Sequence, residues 1–272
     1  MPEDSKRVTA NVERFSGFAD VYDRYRPQPP VVIVELLTQL ARCDRPAVVD
    51  LGSGTGLSSI LWAGRAATVI GVEPNPDMRA QAEHRANAVG ASNVRFIGGL
   101  SIATGLPDAC ADFVTCSQSL HWMEPEPTFA EVARILRPGG IFAAYDCDWP
   151  PTLNAEAEQA YIACRIQAGR VEQARRIAPH VHQWNKSEHL KRIRKSERFR
   201  YAREVVLHHV ESGDADRLVG VMLSQGEVAS LLKHGLSEEE IGITALREVA
   251  HRALGEATVP WYWSYRVRLG VK

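Results

Sequence analysis

Asp50-Leu51-Gly52-Ser53-Gly54-Thr55-Gly56 sets three glycines at alternate positions behind a short apolar run, and an acid, Glu73, closes the next such run at 68–72. Glycine tolerates positive φ and leaves room above the backbone, so such a turn between a strand and a helix lets N–H groups approach a ligand closely. The Glu73 carboxylate, at the end of the neighbouring strand, is placed to accept hydrogen bonds from two ribose hydroxyls. In the dinucleotide fingerprint a last small residue lets helix and strand pack closely. Counted from Gly52, that place is held by Leu57, which argues against a nicotinamide or flavin site.

His121 and Trp122 follow an expected strand at 113–117, at the carboxyl edge where open sheets bind ligands. Histidine titrates near neutrality, so His121 is the candidate catalytic residue, accepting a substrate proton; ordering the loop or bonding the cofactor are the alternatives. Asp146, Asp148 and Trp149 leave the next strand at the same edge, and Trp122, Asp148 and Trp149 are the candidate substrate contacts. Trp149 serves equally well as an aromatic plug beneath a lid, while Trp261, Trp263 and Tyr265, alternating on the last strand, read as core. No set of carboxylates or cysteines completes a metal site around His180 and His182 or around His208 and His209, so no metal is expected. Neither a Gly-x-Ser-x-Gly elbow nor a Walker phosphate loop occurs, which leaves nucleophilic hydrolysis and nucleotide hydrolysis without support.

The elements that must position these residues follow from periodicity. A helix is predicted over 31–40 behind Pro29-Pro30, then strands at 47–51, 68–72, 94–97, 113–117 and 141–145, with helices at 57–62, 77–89 and 129–136 between them. Strands alternating with helices at this spacing form an open parallel sheet covered on both faces. Beyond Trp149-Pro150-Pro151 the rhythm breaks into a polar helix over 154–177 and a basic segment, 186–203, read together as a lid inserted at 151–203. A strand at 205–210, a helix over 214–233 and a second helix capped by Ser237 and Glu240 precede a last strand at 259–271, which pairs with the one near Val205.

In this order the motifs resemble the class I S-adenosylmethionine-dependent methyltransferases, in the branch of small stand-alone enzymes that includes the trans-aconitate methyltransferase-like and type 11 proteins. The likeness covers residues 15–148. It implies that Asp50, Gly52, Ser53, Gly54 and Gly56 cradle the methionine part of the cofactor, that Glu73 holds its ribose, and that Pro74 and Met78 flank the adenine. Pro107-Asp108-Ala109-Cys110-Ala111-Asp112-Phe113 resembles the family's approach to its fourth strand, which opens into Cys116-Ser117-Gln118-Ser119-Leu120-His121-Trp122, with Ser117 and Gln118 at the cofactor. Arg134-Ile135-Leu136-Arg137-Pro138-Gly139-Gly140 is similar to the turn into strand five. Where many relatives carry an acid for the adenine amino group, this chain has Leu100-Ser101-Ile102, so Ser101, Ile102 and backbone groups take that place. Tyr22-Asp23-Arg24-Tyr25-Arg26-Pro27 resembles the family's tyrosine and arginine-proline pattern. On a helix Tyr22 and Arg26 share a face, so that Arg26 meets the cofactor carboxylate and Tyr22 closes over the methyl group; a surface helix with exposed charge is the alternative.

Composition sets the outer bounds. The 272 residues are 45% hydrophobic and 24% charged with a net charge of -1, as in an ordinary globular protein and not in a chain built to coat nucleic acid. The five cysteines are scattered, which fits a reducing cytoplasm and neither a disulfide framework nor a zinc knuckle. Glu3, Asp4, Lys6 and Arg7 precede any apolar run, unlike a secretory signal, and no apolar run approaches the roughly 20 residues that cross a bilayer. The basic segment reads first as a solvated face, second as a cap attracting an anionic substrate, third as an RNA-binding patch.

The expectation is one α/β domain over 1–272: a Rossmann-like, doubly wound, mostly parallel seven-stranded sheet with an antiparallel last strand, an N-terminal helical segment at 1–40 and a helical lid. Its expected activity is methyl transfer from S-adenosylmethionine to a small molecule, releasing S-adenosylhomocysteine. An RNA methyltransferase using 186–203 and a non-catalytic cofactor-binding module are the alternatives.

Overall fold

A computed structural model of the protein describes residues 3–272, with side chains from residue 6 onward. The chain opens with helices α1 (Glu3–Glu13), α2 (Ala19–Tyr25) and α3 (Val32–Ala41), followed by β1 (Ala47–Leu51), α4 (Leu57–Leu61), β2 (Thr68–Val72), α5 (Pro76–Ala88) and β3 (Val94–Ile97). Next come β4 (Ala111–Ser117), a 3-10 turn at Leu120–Trp122, α6 (Pro125–Ile135), β5 (Leu136–Cys147) and α7 (Ala155–Arg175). After a second 3-10 turn at Lys186–Glu188 follow α8 (His189–Lys195), β6 (Tyr201–Gly213), α9 (Ala215–Leu223), α10 (Gly226–Lys233), α11 (Glu238–Ile241), α12 (Ile243–Leu254) and β7 (Val259–Val271).

Two compact units divide the chain. A sheet unit comprises Gln28–Cys147, His182–Leu207 and Tyr265–Lys272; a helical unit comprises the residues up to Pro27, Asp148–Val181 and His208–Ser264. The expected insertion at 151–203 is therefore shared: 151–181 lies in the helical unit and 182–203 in the sheet unit.

Seven strands form one sheet in the order β3-β2-β1-β4-β5-β7-β6. Pairing from β3 through β5 is parallel, and β7 runs antiparallel to β5 with Ile141 opposite Val271 and Cys147 opposite Tyr265. This is the doubly wound, Rossmann-like arrangement. Val48, Val49 and Leu51 on β1 and Phe113, Val114 and Cys116 on β4 are all buried, the continuous apolar run of strands covered on both faces. The chain winds outward from β1 through β2 to β3, then returns to place β4 on the other side of β1, so the sheet's switch point lies between β1 and β4. Phe199 packs on Phe142 with ring centroids 5.7 Å apart and edge-on to Phe129 at 6.3 Å, which ties the basic segment into the core of this unit.

In the helical unit α7, α9 and α12 pack together. Gly220 on α9 is required by the Tyr25 ring, since a Cβ there would come within 2.3 Å of it. The single helix expected over 214–233 is two, α9 and α10, because Gln225 adopts an extended backbone, φ -73° and ψ 135°. The break frees the Ser224 carbonyl, which accepts from Arg26 Nη2 at 2.8 Å. The capping box of Ser237 and Glu240 forms as the sequence indicates. Among the described residues no helix is long and apolar enough to cross a membrane, and no cysteine is joined in a disulfide.

Gly71, which pairs with Asp50 and Phe96 on its flanking strands, is the tightest spot behind the glycine turn: a Cβ there would lie 2.3 Å from Phe96 Cδ1 and 2.7 Å from Ser53 Oγ. Gly71→Ala is expected to lower the unfolding free energy by about 1–3 kcal/mol, read from urea denaturation. An unchanged midpoint would mean that Phe96 yields freely.

Candidate active site

The switch point gathers the ends of β1, β2 and β4. Asp50 is fully buried near the end of β1, and its two oxygens are divided between Thr115 Oγ1 on β4 at 2.8 Å and Ser59 Oγ on α4 at 2.7 Å. Burial raises its carboxyl from 3.8 to about 6, against the pull of these hydroxyls. One carboxylate thus holds strand, neighbouring strand and helix in register behind the turn.

In the turn Gly52, Gly54 and Gly56 have φ of 63°, 54° and 81°, the left-handed region that favours glycine. A Cβ on Gly52 would strike Ser119 Cβ at 2.7 Å, and one on Gly56 would strike Phe96 at 2.9 Å. On Gly54 it would meet no protein atom within 4 Å, so the middle glycine presents open backbone. Ser53 Oγ and Thr55 Oγ1 are buried without a protein partner, two polar atoms that a ligand's polar groups would satisfy.

Glu73, 8% exposed, accepts from the backbone N–H of Gly54 at 2.9 Å through Oε2 and of Asn75 at 2.9 Å through Oε1. Burial raises its carboxyl above the ordinary value, opposed by those two N–H groups and by Arg79. Each oxygen retains a lone pair, so the carboxylate is oriented and still able to accept from a diol. Asn75 caps α5 through Asp77 and Met78 N–H, fixing the chain that leaves Glu73.

At the exit of β4, Gln118 takes φ 53°, costly for a residue with a Cβ, and is held there from several sides. Its N–H donates to Tyr145 O at 2.9 Å, its Nε2 contacts Cys147 Sγ at 2.8 Å, and Lys186 Nζ donates to its Oε1 at 3.1 Å. Ser119 Oγ donates to Leu51 O at 2.7 Å, joining this loop to the end of β1. His121 is buried with Nδ1 3.6 Å from Asp146 Oδ1, and its carbonyl accepts from Trp184 N at 2.7 Å. Asp146 is also paired with Lys186 Nζ at 2.9 Å and Arg268 Nη1 at 2.9 Å. Burial pushes the Asp146 carboxyl up, but Lys186 and His121 outweigh it and hold the group well below the usual carboxylate range.

The remaining sequence candidates are placed as follows. Pro74 and Ser117 are half-buried, Met78 is buried on α5, Ser101 Oγ shares a hydrogen bond with Thr128 Oγ1 at 3.0 Å, and Ile102 is exposed. Trp122 is half-buried with its ring 5.0 Å from that of His121. Tyr22, Arg26, Asp148 and Trp149 belong to the helical unit. There α2 ends at Tyr25, and Arg26 is extended at φ -65°, ψ 139°, as the following Pro27 requires. Its guanidinium lies over the rings of Tyr22 at 4.6 Å and Trp149 at 4.9 Å. Asp148 N donates to Ser264 O at 2.8 Å, and Trp149 meets Trp263 edge-on at 5.1 Å.

The basic segment is heterogeneous. Lys186 points into the sheet unit, Arg192 stacks over Trp184 at 5.1 Å, Arg194 donates to Ala202 O, and Lys191 pairs with Glu188. Lys195, Arg198, Arg200 and Arg203 are exposed, as a solvated face requires. Lys186 and Arg268 were not legible as site residues: the first is lost among neighbouring cations, and the second sits in an ordinary alternation on β7. Among the described residues no group of histidines, cysteines and acids could hold a metal.

Comparison with known proteins accords with this geometry. Residues 49–144 match the family described as a methyltransferase domain. An uncharacterized methyltransferase of Mycobacterium bovis is 35% identical over 129 residues, covering 46% of this chain and 49% of the relative. A Saccharomyces cerevisiae protein named as a probable S-adenosylmethionine-dependent methyltransferase is 30% identical over 142 residues, covering 49% and 48%. The chain thus matches about half the length of these curated relatives. A solved structure from Anaeromyxobacter dehalogenans, provisionally described as a type II methyltransferase, superposes with a TM-score of 0.67 at 22% identity over 91% of this chain and 98% of that one, a likeness of fold.

The Asp50 carboxyl supplies a test. Because its folded value, about 6, lies above the ordinary 3.8, the folded state binds this proton more tightly; the linked stability is complete below pH 4 and is lost as pH rises through 6, about 3 kcal/mol at most. The stability of the wild type relative to Asp50→Asn is expected to fall between pH 4 and pH 7 in denaturant titrations. A difference independent of pH would overturn the assignment.

Proposed function

We propose that the protein is a class I, S-adenosylmethionine-dependent methyltransferase that transfers a methyl group to a small-molecule acceptor, a reading that starts from the match of residues 49–144 to the methyltransferase domain family. The observation that carries the reading is the pairing of an oriented, buried Glu73 with the open backbone of Gly54, bonded N–H to carboxylate at 2.9 Å at the sheet's switch point. Glu73 would take the ribose hydroxyls. Gly52, Ser53, Gly54, Thr55 and Gly56 would hold the methionine part, with the orphan hydroxyls of Ser53 and Thr55 as donors. Pro74, Met78, Ser101 and Ile102 would border the adenine, and Ser117 and Gln118 would line the cofactor from β4. Asp50 would act from behind, as the residue that positions the turn.

When bound, the cofactor supplies a methyl carbon activated by a cationic sulfur, to which the acceptor's lone pair bonds as the carbon–sulfur pair returns to sulfur and S-adenosylhomocysteine remains. The protein's own tasks are to align the acceptor and to exclude water. His121 and Trp122, beyond the end of β4, are the residues of the sheet unit proposed to face the acceptor. A small acceptor is favoured over RNA because Lys186, the first cation of the basic segment, is neutralised by Asp146, and Phe199 is buried and unavailable for base stacking.

Calorimetric titration tests the reading. S-adenosylmethionine and S-adenosylhomocysteine are expected to bind, and the reduced nicotinamide cofactor is not. Glu73→Ala is expected to weaken the binding by roughly ten- to hundred-fold, the worth of one or two hydrogen bonds to a charged acceptor, while circular dichroism shows the fold retained. Unchanged affinity in the folded variant would remove Glu73 from the site.

A further inference from the structure

The turn that carries Glu73 is short of donors. In Glu73-Pro74-Asn75-Pro76 the two prolines have no N–H, so only Glu73 and Asn75 can donate from the backbone. Both are committed: Glu73 N donates to Ile97 O at 3.0 Å, and Asn75 N donates to the Glu73 carboxylate at 2.9 Å. The carbonyls of Glu73 and Pro74 find their donor in a side chain. Arg79 Nη1 donates to Glu73 O at 2.7 Å and to Pro74 O at 3.0 Å.

Arg79 lies near the start of α5, where side chains lean back toward the helix N-terminus and so toward this turn. A cation there opposes the helix dipole, so helix stability alone does not favour it. Its guanidinium also lies beside Gly98, just past β3, where a Cβ would sit 3.5 Å from Arg79 Cζ. One side chain thus joins the start of α5 to the exits of β2 and β3. We propose that Arg79 is a positioning residue of the cofactor site: by holding the carbonyls of Glu73 and Pro74 it fixes the turn after β2 and so aims the Glu73 carboxylate at the ribose hydroxyls.

The inference rests on the reading of the site given above and deepens it. The main chain of Glu73 is held on both sides, by Ile97 at its N–H and by Arg79 at its carbonyl, while Gly54 and Asn75 hold its carboxylate. A carboxylate restrained in this way loses little freedom when a diol binds. Arg79 acts on the charge as well. Burial raises the Glu73 carboxyl, the N–H groups of Asn75 and Gly54 and then Arg79 draw it down, and Asp50 on β1 pushes it up again. Arg79 therefore favours the ionised form, the one that accepts from two hydroxyls.

Calorimetry with S-adenosylmethionine is run on the wild type, Arg79→Met, Glu73→Ala and the double substitution. Arg79→Met alone is expected to weaken binding about ten-fold, a coupling usual between neighbours in one hydrogen-bond network. On the Glu73→Ala background the same change is expected to weaken it less than about two-fold, because the group through which Arg79 acts is gone. Equal losses on the two backgrounds, the mark of a residue that only shapes the fold, or no loss in folded Arg79→Met, would overturn the proposal. If Arg79→Met does not fold, Arg79→Gln, also uncharged, is read in the same way. A second measurement needs no cofactor: the Glu73 carboxyl carbon, assigned by its loss in Glu73→Ala, is followed by NMR against pH. Its midpoint is expected to rise in Arg79→Met and to return toward the wild-type value in Arg79→Lys, which restores the charge. An unmoved midpoint in Arg79→Met would also overturn the proposal. Absence of binding by the wild type would remove the cofactor reading while the carboxyl titration still reports on Arg79, so the two failures are distinguishable.

Discussion

A carboxylate removed from water must have its oxygens satisfied by the protein, and Asp50 meets that requirement by drawing three elements together. Thr115 from β4 and Ser59 from α4 each give it a hydroxyl, so the strand that ends in the glycine turn, the strand beside it and the helix after it share one buried acceptor. The turn's geometry depends on this anchor. Gly52 can lie against Ser119 only because β1 and β4 hold this register, and Ser119 in turn bonds the Leu51 carbonyl.

Asp146 solves the same problem in the opposite way. Asp50 is surrounded by neutral hydroxyls, and burial dominates, so its carboxyl is pushed up to about 6. Asp146 is surrounded by Lys186, Arg268 and His121, and it stays ionised despite equal burial. Two aspartates near the ends of β1 and β5 therefore have different jobs. The first is a mechanical tie with a weakened charge, and the second is a fixed negative charge that organises cations around the β4 exit. A buried ion pair of this kind adds little to stability by itself, but removing one partner leaves an uncompensated charge.

The helical unit is held by its own polar anchors. Arg26 packs between the rings of Tyr22 and Trp149 and bonds the Ser224 carbonyl exposed by the break between α9 and α10. Tyr161 OH meets Gln225 at 3.0 Å from the next position along. The planar guanidinium can stack and donate at once, which an ammonium cannot do.

What the sequence by itself determined was whatever depends on local chemistry. The alternation of apolar runs with helical periods places β1 through β5, the glycines announce a backbone that needs positive φ, Ser237 and Glu240 announce a capping box, and Glu73 follows from its place after a strand. Tertiary structure alone decided the pairings between residues far apart in the chain. Asp50 with Thr115, Asp146 with Arg268 and Lys186 with Gln118 are set by which strands become neighbours and by which face a residue presents. Neither is encoded within a window of ten residues. The division of 151–203 between two units, and the split of the expected helix over 214–233, have the same origin. Lys186 looks like its basic neighbours until folding brings it to a buried carboxylate, and Gln225 looks helical until Arg26 claims the carbonyl before it.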